Sequence, residues 1–278
     1  MSIKITCLVE NSVALSSRFW GEHGMSVLIE EGNNVTLFDT GQSGDVLLHN
    51  MQELNIDPHS ITNIVLSHGH YDHTGGLKAL IELIGPRPIY GHPDVFNQRF
   101  SERPDGSLKP VDMPFSKESL VNVTWHLNSE VIEVTDAIST TGEIPRLEPL
   151  EDEGDERLKV CTSTRCSTMV KDPLKDDMSL VVKTSKGMVV LLGCCHAGVI
   201  NTLNQIEKKF PNEDIYAMMG GTHLAKASEK RLMATEKRVE KIPKIGFSHC
   251  TGLPVSARFL TRYPEQAFVF QVGSVLEF

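Results

Sequence analysis

The 278-residue chain has no stretch approaching the roughly 18 consecutive apolar residues of a membrane span, so none is expected. Positive charge is short as well: 27 Lys and Arg stand against 36 Asp and Glu, a formal net charge of -9. That balance argues against general attraction to nucleic acid or to an anionic membrane. A small anionic substrate remains compatible with it, because a bound cation overrides a negative surface locally. The opening residues, MSIKITCLVEN, lack the apolar core and small-residue cleavage site of a signal peptide. Cysteine is sparse, at positions 7, 161, 166, 194, 195 and 250, and the adjacent Cys194 and Cys195 do not suit a disulfide framework. Cys161 and Cys166 have no matching second pair, which argues against a structural zinc site. Low-complexity segments and long linkers are missing too. The expectation is one soluble, reduced, cytoplasmic domain over residues 1–278.

What is present is a chain rich in Leu, Ile, Val and Phe, enough for a sizeable core. IKITCLVEN and MSVLIEEGNNVTLFDTG read as strands, the second folding back at Gly-Asn-Asn. DVLLHNMQEL has helical spacing, ITNIVLS reads as a short buried strand, GGLKALIELIG as a helix and PRPIYGHP as another strand. Two regions, near 104–119 and 144–175, are turn-rich without clear period and are expected to be loop insertions. MSLVVKTSKGMVVLLG is a hairpin with Lys-Gly at its turn. Strands ending in His196, His223 and His249 then alternate with helices, so these histidines fall at the C-terminal ends of neighbouring strands, where open α/β sheets bind ligands. FVFQVGSVLEF closes the chain as a last hairpin or an edge strand.

The strongest chemical signal is SHGHYDHTGG, residues 67–76, placed after a strand and before a helix. Neutral imidazole suits zinc and iron, and a carboxylate offsets the charge of a dication. Four donors within six residues cannot all reach one tetrahedral ion from a single loop. His68 and His70 are therefore expected to address one metal, and Asp72 and His73 a second. Gly69, Gly75 and Gly76 let the loop fold tightly around them.

The HxHxDH pattern in SHGHYDHTGG, with the early FDTG and the late His249, resembles the metallo-β-lactamase superfamily over nearly the whole chain. That resemblance implies an αββα sandwich of two mixed sheets, with helices on the outer faces and a dinuclear site between. GEHGMSVLIE, TGEIPR, DDMSLVV, LLGCCHAGVIN, GGTHL and SHCTG further resemble a subfamily that includes the archaeal dihydropterin ribofuranosylaminobenzene 5'-phosphate synthases. Carried over by position, His68 and His70 would hold one metal, and Asp72, His73 and His249 the other.

This chain departs from the superfamily pattern where a bridging Asp is usual, reading Gly193-Cys194-Cys195-His196. His196 is expected to fill the ligand gap; the alternative is Cys194, which otherwise lies behind the ligands. Asp39 is expected to orient a ligating His. His223 is the candidate general acid, with packing as the other reading, and Asp72 is expected to stay ionised. His23 is assigned to the substrate side. Glu143 and Arg146 are candidates for binding a substrate phosphate or carboxylate, a surface ion pair being the alternative. His92 is either functional or a turn residue before Pro93.

The implied activity is metal-dependent chemistry, with two divalent ions, on a phosphate- or diphosphate-bearing small molecule. Zinc is the first expectation, iron and manganese the alternatives. Pterin-type transfer with loss of diphosphate and hydrolysis of a phosphoester are both compatible. A metal-binding sensor is the non-enzymatic alternative.

Overall fold

The computed structural model describes residues 2–151, 156–162 and 166–278. In chain order the first half runs β1 (Ile3–Val9), β2 (Ser26–Glu31), β3 (Asn34–Phe38), α1 (Gly44–Glu53), β4 (Asn63–Val65), α2 (Tyr71–Thr74), α3 (Leu77–Ile84) and β5 (Pro88–Gly91). Six short strands follow: β6 (Arg99–Glu102), β7 (Leu108–Pro110), β8 (Thr124–Leu127), β9 (Ile138–Thr140), β10 (Leu158–Cys161) and β11 (Met169–Lys171). The last part is β12 (Ser179–Thr184), β13 (Gly187–Leu192), α4 (Val199–Lys209), β14 (Ile215–Gly221), α5 (Glu229–Val239), β15 (Lys244–Ser248), α6 (Leu253–Arg262), β16 (Ala267–Val269) and β17 (Val275–Glu277).

Two mixed sheets stack face to face. The first has the order β17-β1-β2-β3-β4-β5-β8, the second β16-β15-β14-β13-β12-β9. Side chains alternate across each strand, so one strand feeds two cores. In β13, Val189 and Leu191 point to the core between the sheets, while Met188, Val190 and Leu192 pack outward beneath the second sheet's helices. In β2, Val27 and Ile29 point inward and Leu28 packs outward. That double burial explains why these strands read as continuous apolar runs. Helices α1 and α3 cover the outer face of the first sheet; α3 buries Leu77, Leu80, Ile81 and Ile84 at helical spacing. Val199, Leu203 and Ile206 of α4, Val239 of α5 and Val255 and Phe259 of α6 cover the second. The layers are αββα, as expected. No helix among the described residues is long and apolar enough to cross a membrane.

Three readings need correction. The closing segment is neither a hairpin nor one edge strand: β16 pairs with β15 in the second sheet, and β17 pairs with β1 in the first. Gly273, at φ +83, sits on the crossing between them, which carries the chain from one edge to the other.

The two turn-rich regions are not plain loops. Together with the preceding β6 they build a third sheet, β11-β10-β6-β7. Its strands are three or four residues long, too short for a periodicity to show. Residues 152–155 of the acidic run, and 163–165 within the Cys161–Cys166 segment, lie outside the described residues.

Cys161 and Cys166 form a disulfide, against the expectation of fully reduced cysteines. Cys161 ends β10, whose antiparallel partner β11 begins at Met169, and the returning chain brings the two Cα atoms to 4.9 Å.

Arg99 ties the third sheet to the rest. It is 1% exposed, with Nε donating to Asp172 at 2.7 Å and Nη2 to Asp176 at 2.7 Å. Asp176 also accepts from the Gly69 backbone N–H at 2.8 Å. The Tyr71 N–H donates to the Val111 carbonyl at 3.0 Å, and Tyr71 packs on Val111, Leu158 and Leu174. The added sheet thus grips the histidine loop directly.

Candidate metal centre

The floor of the site is assembled from strand ends. Ser67 follows β4, and its N–H and hydroxyl both donate to Asp39, at 2.7 Å each. Residues 67–73 then turn sharply: His70 caps α2, and its carbonyl accepts from the Thr74 hydroxyl at 2.9 Å. Gly69 is required here by close approach. A Cβ at this position would lie 2.1 Å from the Val95 carbonyl oxygen and 2.6 Å from Arg99 Nη1. From the other sheet come Cys194 and His196 after β13, His223 after β14 and His249 after β15. Asp39, Cys195, His223 and His249 all have positive φ, between 50° and 58°. Such backbone is unfavourable for residues with a Cβ and is found where a site demands it.

Two donor groups lie side by side. One is Asp72, His73, Cys194 and His249; the other is His68, Cys194 and His196. Within each, the ligand atoms fall within 4.8 Å of one another. His73 Nε2 is 3.2 Å from His249 Nε2 and 3.2 Å from Cys194 Sγ, and Asp72 Oδ2 is 3.3 Å from His249 Nε2. His70 stands beside the second group, its Nδ1 3.0 Å from His68 Nε2. Nε2 of His70 and Nε2 of His196 are buried without a hydrogen-bond partner. Buried polar atoms are rarely left so, and nitrogens converging at such distances suit a cation between them. The residues present fit a bound metal centre.

For His68, His70, His196 and His249, all shifted downward, the electrostatics agree. Burial pushes His68 and His196 well below the ordinary imidazole value, with neighbouring histidines adding to the effect, and His70 falls to about 3. Neutral rings are the ligating form. Burial also lowers His73, but Asp39 and Asp72 outweigh it and raise it to about 9. Burial raises Asp72, yet His73, His23 and His249 reverse that and hold it well below the usual carboxylate range. Cys194 is pushed well above the ordinary thiol value, first by burial and then by Cys250.

A cleft of about 180 Å³ opens above these groups, lined by His23, Tyr71, His223 and Cys250 among others. His23 Nε2 lies 3.1 Å from Asp72 Oδ2, with its side chain half-exposed at the mouth. The His223 ring is 4.3 Å from that of His196. The sequence-selected His23, His68, His70, Asp72, His73, Cys194, His196, His223 and His249 are all brought together.

Glu143 and Arg146 are not on this cleft's wall. Glu143 sits 3.7 Å from His92, and Arg146 donates to the His196 carbonyl at 2.7 Å. The chain direction after β9 carries them behind the histidines, so Arg146 contacts the backbone of His196 rather than the cleft. His92 caps the turn after β5, accepting from the Asp94 N–H at 3.1 Å.

Several residues escaped sequence reading. Glu10 accepts from the His249 N–H at 2.5 Å, and Asn11 Oδ1 lies 3.0 Å from His249 Nδ1. Both follow β1, and polar residues at a strand end were the available signal. Glu151 accepts from the N–H groups of Ile200 and Asn201 at 2.8 Å each, filling the N-terminus of α4. Nothing in its local sequence announces that role.

The model of the metallo-β-lactamase superfamily matches residues 20–157, and the chain belongs to that superfamily of metal-dependent enzymes. Over 286 aligned residues it is 33% identical to the 7,8-dihydropterin-6-methyl-4-(β-D-ribofuranosyl)-aminobenzene-5'-phosphate synthase of Methanocaldococcus jannaschii, covering 100% of this chain and 97% of that enzyme. An uncharacterised protein of the same archaeon is 32% identical, over 89% of this chain and 90% of its own. Among solved structures, Tm1679, a metal-dependent hydrolase of the β-lactamase superfamily, superposes with a TM-score of 0.83 at 28% identity, covering 99% of this chain and 98% of its own.

Proposed function

We propose that the protein is a dinuclear metal enzyme acting on a phosphate- or diphosphate-bearing small molecule, by group transfer with loss of diphosphate. The observation that carries this reading is the pair of donor groups side by side beneath one cleft. His68, His70 and His196 are assigned to one ion, and Asp72, His73 and His249 to the other, with zinc the first choice for an imidazole-rich set. When bound, such ions polarise a phosphoryl oxygen, neutralise an anionic leaving group and acidify a shared water.

The chain's own residues supply the rest. Asp72 stays ionised and keeps one oxygen, Oδ2, toward His73, His249 and His23. Asp39 fixes the His73 ring through Nδ1, turning Nε2 to the centre. His223 overhangs the cleft next to His196 and is placed to pass a proton to or from the reacting group. His23 and Tyr71 form the entrance, and Lys109 Nζ, 3.3 Å from the Tyr71 hydroxyl, brings a positive charge to it. A small anionic substrate is the partner this wall suits, and the net charge of -9 speaks against nucleic acid or membrane.

Full-length similarity to a synthase favours transfer. The similarity to Tm1679 supports hydrolysis as the second reading. The test is metal content per chain in protein purified without chelator, followed by diphosphate release from a pterin methyl diphosphate with and without an arylamine acceptor. Two metals and acceptor-dependent release are expected. Release that ignores the acceptor would favour hydrolysis, and two metals with no turnover of any phosphoester would sink the enzymatic reading.

A further inference from the structure

We propose that the Cys194 thiolate bridges the two metal ions of this centre. The inference rests on the dinuclear reading above and assigns its shared ligand. Cys194 belongs to both donor groups. It is 4% exposed, and its Sγ is 3.2 Å from His73 Nε2 while lying within 4.8 Å of the donor atoms of His68 and His196.

The backbone explains the placement. A Cβ on Gly193 would meet Ser67 Oγ at 2.3 Å, so the end of β13 packs directly on the start of the histidine loop. The next residue therefore projects between the two groups. Cys195, at φ 58°, turns the other way, and its Sγ lies 3.4 Å from Thr202 Oγ1 in the outer core. Only the first cysteine of the pair faces the centre.

The neighbouring carboxylates are engaged elsewhere. Asp39 accepts from Ser67 and is bonded to His73 Nδ1, and Asp176 accepts from Gly69 and Arg99. Asp177 accepts from the Ala197 N–H at 2.8 Å through Oδ2; its Oδ1 is buried without a partner, but the residue is in neither group. Asp72 belongs to one group only. Cys250 is on the cleft, but its Sγ donates to the Cys194 carbonyl at 3.2 Å and it too is in neither group.

The dimensions are compatible. Zinc–thiolate bonds are about 2.3 Å, so two ions sharing one sulfur stand at most about 4.6 Å apart. Two-metal sites have separations of about 3.5–4 Å. On loading, the Cys194 S–H bond breaks, two sulfur–metal bonds form and one proton passes to solvent, with no change of oxidation state. His196 of the second group keeps a buried Nε2 without a hydrogen-bond partner.

The experiment is X-ray absorption at the zinc edge on zinc-loaded wild type, Cys194→Ser, Cys194→Asp and Cys250→Ser, each with zinc titrated and its fold checked by circular dichroism. Wild type and Cys250→Ser should hold two zincs with one sulfur per zinc on average, because one sulfur serves both. Cys194→Ser should lose the sulfur shell and at least about tenfold in affinity for one zinc. Cys194→Asp should regain two zincs with oxygen in place of sulfur. Half a sulfur per zinc in the wild type would make Cys194 a terminal ligand and overturn the bridge while leaving the dinuclear reading intact. Two zincs with no sulfur, or wild-type affinity in Cys194→Ser, would also overturn it. No zinc in the wild type would overturn both.

Discussion

Asp39 Oδ2 and His73 Nδ1 meet at 2.6 Å, both side chains fully buried, so one strand end dictates how a ring on another presents its far nitrogen. Asp39 also receives the Ser67 N–H and hydroxyl, and Ser67 Oγ lies 2.8 Å from His68 Nδ1. A single carboxylate therefore organises rings assigned to both ions. Asp39→Asn should lower metal affinity about 10- to 100-fold, read by competition with a chromophoric chelator. Unchanged affinity would show that packing alone orients His73.

His223 is proposed to handle a proton, its ring standing 4.3 Å from that of His196 on the wall of the cleft. His223→Ala should leave metal content at the wild-type value while lowering kcat about 10²- to 10⁴-fold. A fall in metal content with unchanged turnover per metal would move His223 to a ligand role.

Gly69 leaves no room for a methyl group, with the Val95 carbonyl oxygen 2.1 Å from where its Cβ would stand. The obstacle is backbone, so it cannot rotate aside. Gly69→Ala should destabilise the fold by about 1–3 kcal/mol in urea titration and weaken metal binding together with it. Wild-type stability would mean that the loop has another conformation available.

Asp176 carries the pH prediction. Burial raises its carboxyl most, Arg99 and the Gly69 N–H pull it back, Asp172 and Asp177 raise it again, and the outcome is about 6. The folded value is above the ordinary 3.8, so its contribution to stability is full below about pH 4 and is lost as pH rises through 6. Two units correspond to about 3 kcal/mol at most. In metal-free protein, the stability of wild type minus that of Asp176→Asn should fall by up to about that amount between pH 4 and 7. A flat difference would show that the carboxyl is ionised throughout.

Much of the site was legible because its residues are contiguous or repeat a local pattern. His68, His70, Asp72 and His73 share one loop, and each of His196, His223 and His249 follows a strand that reads plainly from its apolar run. Glu10, Asn11 and Glu151 were not legible: each contributes through a partner far along the chain, as when Glu10 meets His249 across 239 positions. Arg146 misled for the same reason, since only the packed structure turns its guanidinium to the His196 carbonyl.

By itself, the sequence determined most of the strand and helix order and the residue types of a metal centre, because apolar periodicity and short-range ligand spacing are local properties; the αββα layering was implied by the family resemblance that the HxHxDH pattern carries. Tertiary structure alone decided that the turn-rich regions contribute to a third sheet gripping the histidine loop through Arg99 and Asp176. It also decided that the ends of the chain's last two strands close opposite sheets, and that Cys194 stands between two donor groups. Those outcomes depend on contacts between segments separated along the chain, from Ile245 with Ala267 to Lys4 with Glu277, which only burial of the shared core brings within bonding distance.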